Sequence, residues 1–257
     1  MVKRYREETV NKLVIVSLVA ILATFFLGYY FGNILNKDDK EKIETNDVAN
    51  FVGDGVRYVT LMVPAVDNEG RGVATNIVVG IMPGTGRTLT DIDTLLFWVD
   101  TQNSIRTAKQ VAANITGVDL NNYDLIFDVE TDASLIGGPS AGAALTIATI
   151  AAIEDRILRN DVMITGSVNH DGTIGPVGGI AEKAKAAKEQ KHRLFLVPLL
   201  QSREVVYETK EHCEKIGFTE ICTIEQVPVK IDVNKEAGIE VKEVGSIEEA
   251  MQYFFVS

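Results

Sequence analysis

The sequence predicts a mixed α/β (α+β) domain of about 200 residues that follows an apolar N-terminal segment. Stretches rich in β-branched residues alternate with stretches whose apolar residues recur at helical spacing. Residues 140–156 are apolar almost all round, which is typical of a helix buried in a core. Because a chain of this length can bury one sizeable core, we expect residues 56–257 to form a single domain.

Residues 1–12 form a short basic tail, and residues 13–35 are predicted to be a transmembrane signal anchor. No charge interrupts the run from Leu13 to Phe31. A helix of this length crosses a hydrocarbon core of roughly 30 Å. A cleaved signal peptide would have a shorter apolar region and a small-x-small cleavage site, and a buried core helix is seldom apolar over so long a run. The pattern therefore favours a retained anchor over either alternative.

Positive charges around the apolar run predict the side of the membrane on which the domain lies. Four lysines and arginines precede the run, and three lysines follow it within residues 36–42. Because cytoplasmic flanks carry the excess of positive charge, this bias places the N-terminus inside and the domain outside the cytoplasm. Residues 36–55 are polar with little periodicity, which indicates a tether between membrane and domain.

The first half of the domain is predicted to contain a hairpin, a helix and a strand. Residues 56–66 and 72–82 are rich in β-forming residues, with a turn at 67–72 between them. Apolar residues recur at helical spacing within 100–116, and residues 123–129 favour a strand.

The second half is predicted to alternate helices and strands up to a C-terminal helix. The predicted elements are a buried helix at 140–156, a strand at 162–168, a turn at 169–173, a helix at 178–190, a strand at 194–198, a helix at 204–215, strands at 227–233 and 239–244 that pair around 234–238, and a final helix opened by the capping box Ser246–Glu249.

Composition argues against several classes of function. The residues after 35 carry 21 lysines and arginines against 34 aspartates and glutamates, which would repel nucleic acid and anionic lipid head groups. No Cys/His cluster has metal-ligand spacing, and the phosphate-loop motif Gly-x4-Gly-Lys-Ser/Thr is absent from the sequence. We therefore expect no metal, nucleotide or other cofactor. Cys213 and Cys222 could pair outside the cell or remain two separate thiols.

Ser140 is the candidate nucleophile. It follows Pro139 at the predicted start of the buried helix, where free backbone N–H groups and the positive end of the helix dipole suit an oxyanion. A serine at this position can equally be a simple N-cap. A nucleophilic role requires a base, and none of the three histidines lies in a recognisable triad motif.

Lys183 is the candidate base, 43 residues after Ser140. Its place on the helix that starts near Ile180 lies beside the apolar face, whereas Lys185 and Lys188 point further toward solvent. A helix N-terminus and apolar surroundings both lower a lysine pKa toward the value that a general base needs. The alternative is a solvated lysine on a helix face.

Two segments resemble the proteolytic domain of the Lon protease family. They are Gly138-Pro-Ser-Ala-Gly142 and Ile164-Thr-Gly-Ser-Val, which continues through Asp171-Gly-Thr-Ile-Gly-Pro-Val-Gly-Gly-Ile-Ala-Glu-Lys-Ala-Lys-Ala-Ala187. The resemblance is strong over 123–199 and looser over 56–255. It implies a Lon-type proteolytic fold in which Ser140 is the nucleophile and Lys183 its general base. It also implies that Thr165 contacts the lysine amine, and that the chain forms a homo-oligomer, a hexamer in Lon relatives.

The chain departs from the usual Lon pattern in two ways. Typical Lon proteins carry an AAA+ ATPase ahead of this domain, whereas here only about 20 residues separate the predicted anchor from the domain, so we expect no ATP requirement. Many Lon enzymes have an acidic residue two positions before the proline, where this chain has Gly137. The Gly-Gly-Pro-Ser form is similar to archaeal-type, motor-less, membrane-anchored Lon-like proteins.

The sequence therefore predicts a membrane-anchored, ATP-independent serine endopeptidase that cleaves unfolded or flexible protein segments. One alternative is a catalytically silent, membrane-tethered binding or scaffold domain with the same fold. A second is an amidase of non-protein substrates, because a Ser-Lys dyad alone does not define the substrate.

Overall fold

The computed structural model describes residues 55–90, 96–130 and 135–255, together with Thr24, which is helical. The chain divides into two compact units, Met1–Asp47 and Val48–Ser257. The predicted tail, anchor and tether lie outside the described residues, apart from Thr24 and Gly55. Within the ranges described, no helix is both long enough and apolar enough to span a membrane.

A four-stranded sheet dominates the first half of the domain. The elements are β1 (Arg57–Val66), β2 (Gly72–Pro83), β3 (Thr88–Thr90), β4 (Leu96–Phe97), α1 (Val99–Thr116), a 3₁₀ turn (Leu120–Asn122), β5 (Tyr123–Glu130) and β6 (Leu135–Ile136). The sheet has the order β1-β2-β5-β3, and β4 pairs with β6. β1 and β2 form the predicted antiparallel hairpin, and the predicted helix and strand are confirmed as α1 and β5.

The second half adds a small parallel sheet and a long hairpin. The elements are a 3₁₀ turn (Pro139–Ala141), α2 (Gly142–Glu154), β7 (Val162–Ile164), β8 (Ser167–Val168), β9 (Ile174–Gly175), α3 (Ile180–Glu189), β10 (Leu194–Pro198), β11 (Arg203–Ile216), β12 (Thr219–Asp232), α4 (Val233–Ala237), β13 (Glu240–Val244) and α5 (Ile247–Phe254). The order β13-β10-β7 is parallel throughout. The predicted capping box is confirmed, since Ser246 Oγ accepts the Glu249 amide at 3.2 Å.

α2 lies at the centre of the core, as its apolar composition predicts. Every residue from Gly142 to Ile153 is buried. Its two threonine hydroxyls donate to carbonyls one turn earlier in the same helix, so no polar side chain in it is left without a partner. Each fully buried isoleucine or leucine stabilises the fold by roughly 1.5–3 kcal/mol. The helix is therefore a rigid support for the loop that precedes it.

The prediction of a helix at 204–215 is wrong, because this segment is strand β11. It pairs with β12 without interruption from Arg203↔Asp232 to Ile216↔Thr219. Val205, Val206 and Tyr207 favour a pleated strand. Gly217 adopts φ 66°, which allows a tight two-residue turn at the tip. Backbone pairing across the hairpin thus outweighs the local helical spacing.

The predicted pairing of 227–233 with 239–244 is also wrong. β12 pairs with β11, whereas β13 joins β10 in parallel, and the intervening residues form the short helix α4. Asp232 starts α4 by accepting the Lys235 amide at 3.2 Å. The predicted strand 162–168 is interrupted by Gly166, whose φ of 155° separates β7 from β8.

The β11–β12 hairpin carries both cysteines near its tip. Cys213 and Cys222 are opposite each other across the two strands and form a disulfide, which decides between the alternatives that the sequence left open. Among the described residues, Glu211, Cys213 and Cys222 lie close enough together to be a possible metal-ligand set. Both sulfurs of this set already form the disulfide. Away from its base the hairpin is solvent-exposed on both faces.

Candidate active site

Ser140 lies in a tight loop in front of the buried helix α2. Gly138 adopts φ 107°, a conformation that L side chains rarely take, and Pro139 opens the 3₁₀ turn that contains the serine. α2 begins at Gly142, two residues later than predicted. Neither the turn nor α2 has a side-chain cap, so Ser140 is not the N-cap that the sequence allowed. Its side chain is partly exposed.

The start of α1 holds this loop from one side. Asp100 accepts the Gly138 amide at 2.9 Å and the Thr101 amide at 2.7 Å. The Thr101 hydroxyl donates to the Gly138 carbonyl at 3.5 Å. The sequence does not predict this contact, because its local pattern marks Asp100 only as the beginning of a helix. Residue 100 lies 38 positions from Gly138, so no local pattern indicates the pairing.

The Thr165–Gly166 segment holds the loop from the other side. The Ser140 carbonyl accepts the Gly166 amide at 2.9 Å and the Thr165 hydroxyl at 3.3 Å. The Gly166 carbonyl in turn accepts the Ala143 amide at 3.0 Å. Thr165 is fully buried, so its hydroxyl contributes to positioning the serine backbone. The predicted contact of Thr165 with a lysine amine stays a prediction.

Lys183 is buried, which favours the prediction that it points inward over the alternative of a solvated lysine. Its side chain is 4 % exposed, and Nζ donates to the Gly178 carbonyl at 2.9 Å. Burial lowers the pKa of Lys183 to about 8, against the opposing effect of the Glu204 and Glu182 carboxylates. At neutral pH a useful fraction of this amine is therefore uncharged.

The structure joins Ser140 to Thr165 directly, and it shows no hydrogen bond between Ser140 and Lys183 in the ranges described. The amine is bonded instead to the Gly178 carbonyl, on the turn that opens α3. Catalytic hydrogen bonds commonly tighten only when substrate is bound. The Ser-Lys contact therefore stays a prediction.

Two backbone amides after Ser140 are already occupied. The Gly142 amide donates to the Pro139 carbonyl, and the Ala143 amide donates to the Gly166 carbonyl at 3.0 Å. These two amides are therefore not available to an oxyanion at Ser140 in this arrangement. The sequence predicted free backbone N–H groups at this helix start, and these two are not free.

Ser140 borders a groove of about 800 Å³ between its loop and the β1-β2-β5 sheet. The apolar residues along the groove include Val63, Val73, Ile77, Phe97, Phe127 and Val129. Its charged lining residues are all acidic, namely Asp67, Asp128 and Glu130. The groove can therefore hold an extended, mainly apolar segment beside the serine.

Comparison with known proteins adds an independent observation. The family model of the Lon protease (S16) C-terminal proteolytic domain matches residues 97–233, a range that contains Ser140, Thr165 and Lys183. An archaeal Lon protease of Methanocaldococcus jannaschii is 33% identical over 124 residues, which is 48% of this chain and 18% of that protein.

Two further Lon proteases are similar to this chain. The Lon protease of Phenylobacterium zucineum is 33% identical over 121 residues, 46% of this chain and 15% of that protein. Lon protease 1 of Herpetosiphon aurantiacus is 29% identical over 174 residues, 66% of this chain and 19% of that protein. The match thus covers less than a fifth of each of these relatives.

Proposed function

Because this chain belongs to the family of the Lon protease (S16) C-terminal proteolytic domain, we propose that it is a serine endopeptidase that uses Ser140 and Lys183 as a catalytic dyad. The observation that carries the proposal is the burial of Lys183, with its pKa lowered to about 8. Such surroundings destabilise the charged form of a lysine and so do not help one with only a structural role. A general base, in contrast, needs a pKa near the working pH.

The proposed reaction has two steps. Ser140 Oγ attacks the carbonyl carbon of the scissile peptide while the neutral Lys183 amine takes its proton, and the leaving amine then receives that proton as the C–N bond breaks. Water hydrolyses the resulting ester, with Lys183 again acting as base, and regenerates the serine. Thr165 and Asp100 hold the serine loop in place through its backbone. In the structure the amine is bonded to the Gly178 carbonyl, so the proposed reaction requires it to approach Oγ.

The groove supports extended protein segments as substrates. Its apolar lining suits apolar side chains, and its acidic rim suits basic ones further along the same segment. A folded protein cannot present such a segment, so we propose unfolded or flexible regions as substrates. The 257 residues contain no phosphate-loop motif, and we propose that hydrolysis by this chain needs no ATP.

We also propose that residues 13–35 anchor the chain in the cell membrane, with the catalytic domain outside the cytoplasm. The uncharged run and the charge bias around it support the anchor and its orientation. The Cys213–Cys222 disulfide is consistent with an oxidising compartment. We propose further that the chain forms a homo-oligomer, and its resemblance to Lon implies a hexamer.

The test uses the full-length chain in detergent micelles without ATP. A fluorophore-labelled unfolded protein is the substrate for the parent, Ser140→Ala, Lys183→Ala and the matched control Lys188→Ala, which alters an exposed lysine of the same helix. We expect cleavage by the parent and the control, and a loss of about 10²-fold or more in the other two.

A serine-reactive fluorophosphonate probe separates the remaining alternatives. Cleavage by both Ser140→Ala and Lys183→Ala at the parent rate would contradict the dyad. A parent that neither cleaves protein nor reacts with the probe would be a silent binding domain. A parent that reacts with the probe but cleaves no protein would be an amidase of other substrates.

A further inference from the structure

The base of the β11–β12 hairpin is bonded to the segment that carries Lys183. The Gln201 side chain accepts the Val177 amide at 3.0 Å and donates to the Val177 carbonyl at 2.7 Å. Three residues later, Glu204 Oε2 accepts the Ala181 amide at 2.9 Å. Three hydrogen bonds thus fix the start of α3 to the start of β11.

Glu204 supplies the cap that α3 lacks in its own sequence. The residue at the N-cap position is Gly179, with φ 69° and no side chain that could accept a first-turn amide. Such an amide needs an acceptor, and a carboxylate is the favoured partner at the positive end of a helix. The acceptor here comes from a strand 23 residues further along the chain.

The same carboxylate acts on the Lys183 amine. Nζ reaches back to the Gly178 carbonyl, so the amine lies at the same end of α3 as the Ala181 amide that Glu204 holds. Burial and the helix N-terminus both oppose an ammonium ion there. Of the acidic groups around it, Glu204 raises the pKa of Lys183 most, and Glu182 raises it less.

The other charged groups near α3 are engaged elsewhere. Glu236, on α4, bonds Lys185 at 2.8 Å, and in the β1–β2 turn Asp67 pairs with Arg71. β10, which also packs against α3, has no charged residue. Glu204, bonded to the first turn of α3, is therefore the carboxylate from outside the helix that raises the pKa of Lys183.

We propose that Glu204 is a positioning residue for the reaction: it holds the start of α3 and supplies the negative charge that sets the pH at which the Lys183 amine becomes available as a base. The role in hydrolysis rests on the proposed function, whereas the effect on the amine does not. Burial lowers the proton affinity of Lys183, and the Glu204 carboxylate partly restores it. The amine therefore binds a proton tightly enough to carry it to the leaving amine.

The test compares Glu204→Gln with the parent, both as full-length chains. Glutamine keeps an oxygen for the Ala181 amide and removes the charge. Trace acetic anhydride labels lysine amines in proportion to their uncharged fraction, and peptide mass spectrometry reads Lys183 separately between pH 6 and 11. We expect the labelling midpoint of Lys183 to fall by on the order of 0.5–1 pH unit.

The pH dependence of hydrolysis should shift in the same direction as the labelling midpoint of Lys183. The acidic limb of the kcat profile of Glu204→Gln should move to lower pH by the same amount, with roughly three- to tenfold higher kcat below the midpoint. KM should stay within about twofold, because Glu204 is not among the residues that line the groove. A merely structural residue would lower kcat at every pH without moving the limb.

Glu236→Gln is the matched control, because it also removes one carboxylate near α3, but the one that is bonded to Lys185. An unchanged Lys183 midpoint in Glu204→Gln, or an equal shift in Glu236→Gln, would overturn the inference. If the parent hydrolyses no peptide, the proposed function fails, and the labelling midpoints still decide whether Glu204 sets the charge of Lys183.

Discussion

Replacing Lys183 by methionine should remove activity and at the same time stabilise the domain at neutral pH. Methionine fills a similar volume and carries no charge. Lys183 has an ordinary pKa of 10.5, and burial lowers it to about 8 in the folded chain. Folding at pH 7 therefore places an ammonium ion where the surroundings favour the neutral amine.

The magnitude follows from the two pKa values. A difference of about 2.5 pKa units corresponds to roughly 3 kcal/mol of lost stability in the parent at pH 7. The variant also loses the hydrogen bond from Nζ to the Gly178 carbonyl, which contributes about 1 kcal/mol. The expected net gain in the free energy of unfolding for Lys183→Met is thus about 2 kcal/mol.

The sign of the pH dependence is fixed by linkage. Between pH 8 and 10.5 the unfolded chain binds more protons at Lys183 than the folded chain, so the parent becomes more stable as pH rises. Below pH 8 the amine is mainly protonated in both states and nearly the full penalty applies. The advantage of Lys183→Met should therefore shrink from pH 8 upward, and near pH 10.5 only the loss of the hydrogen bond should remain, which makes the variant about 1 kcal/mol less stable than the parent.

Urea unfolding of the full-length chain, followed by circular dichroism at pH 7 and pH 10, measures both quantities. Lys188→Met, at an exposed position of the same helix, should change the free energy of unfolding by less than about 0.5 kcal/mol at either pH. A Lys183→Met variant that unfolds at lower urea than the parent at pH 7, or an advantage that persists unchanged at pH 10, would refute the reasoning.

Three further predictions concern the supports of the site. Thr165→Val removes the hydroxyl bond to the Ser140 carbonyl and should lower kcat about tenfold; a steady-state assay measures this. Asp100→Ala leaves the Gly138 amide without its acceptor and should lower kcat/KM about tenfold. The free energy of unfolding should fall by only about 1 kcal/mol, which lowers the thermal midpoint by a few degrees. Reducing the hairpin disulfide should raise amide hydrogen exchange in residues 208–226 and leave exchange in α2 unchanged, because an isolated two-stranded hairpin is only marginally stable.

Each of these predictions has a matched control. Thr165→Ser keeps the hydroxyl and should retain most activity, so an equal loss in both variants would contradict the role of that bond. Asp100→Asn keeps one acceptor oxygen, and a loss as large as that of Asp100→Ala would point to charge rather than to the hydrogen bond. Equal exchange in the reduced and oxidised hairpin would show that strand pairing alone holds it.

Local sequence patterns predicted most of the first half of the fold. The β1–β2 hairpin, α1 and β5 follow from alternation, helical spacing and turn residues that lie within each element. The errors are concentrated between residues 203 and 244, where β11 pairs with the next strand, β12, whereas β13 pairs in parallel with the earlier strand β10. Residues 204–215 match a helical spacing and a strand composition equally well, and only the opposite strand of the hairpin decides between them.

The candidate residues themselves were determined by the sequence. The resemblance of Gly138-Pro-Ser-Ala-Gly142 and of the long, specific segment that contains Lys183 to the Lon family singles out one serine and one lysine. The sequence also predicted a buried helix from residue 140, and the structure starts that helix at Gly142, after the 3₁₀ turn that contains Ser140.

The tertiary structure decided how those residues are held and charged. Burial of Lys183, rather than of Lys185 or Lys188, depends on what packs against α3, and helical periodicity gives only the side on which each lysine lies. The contacts from Asp100 to the serine loop and from Glu204 to α3 join residues 38 and 23 positions apart. Hydrogen bonds and electrostatic effects act through space, so a pattern read along the chain identifies candidate residues, and only the folded arrangement determines their protonation and position.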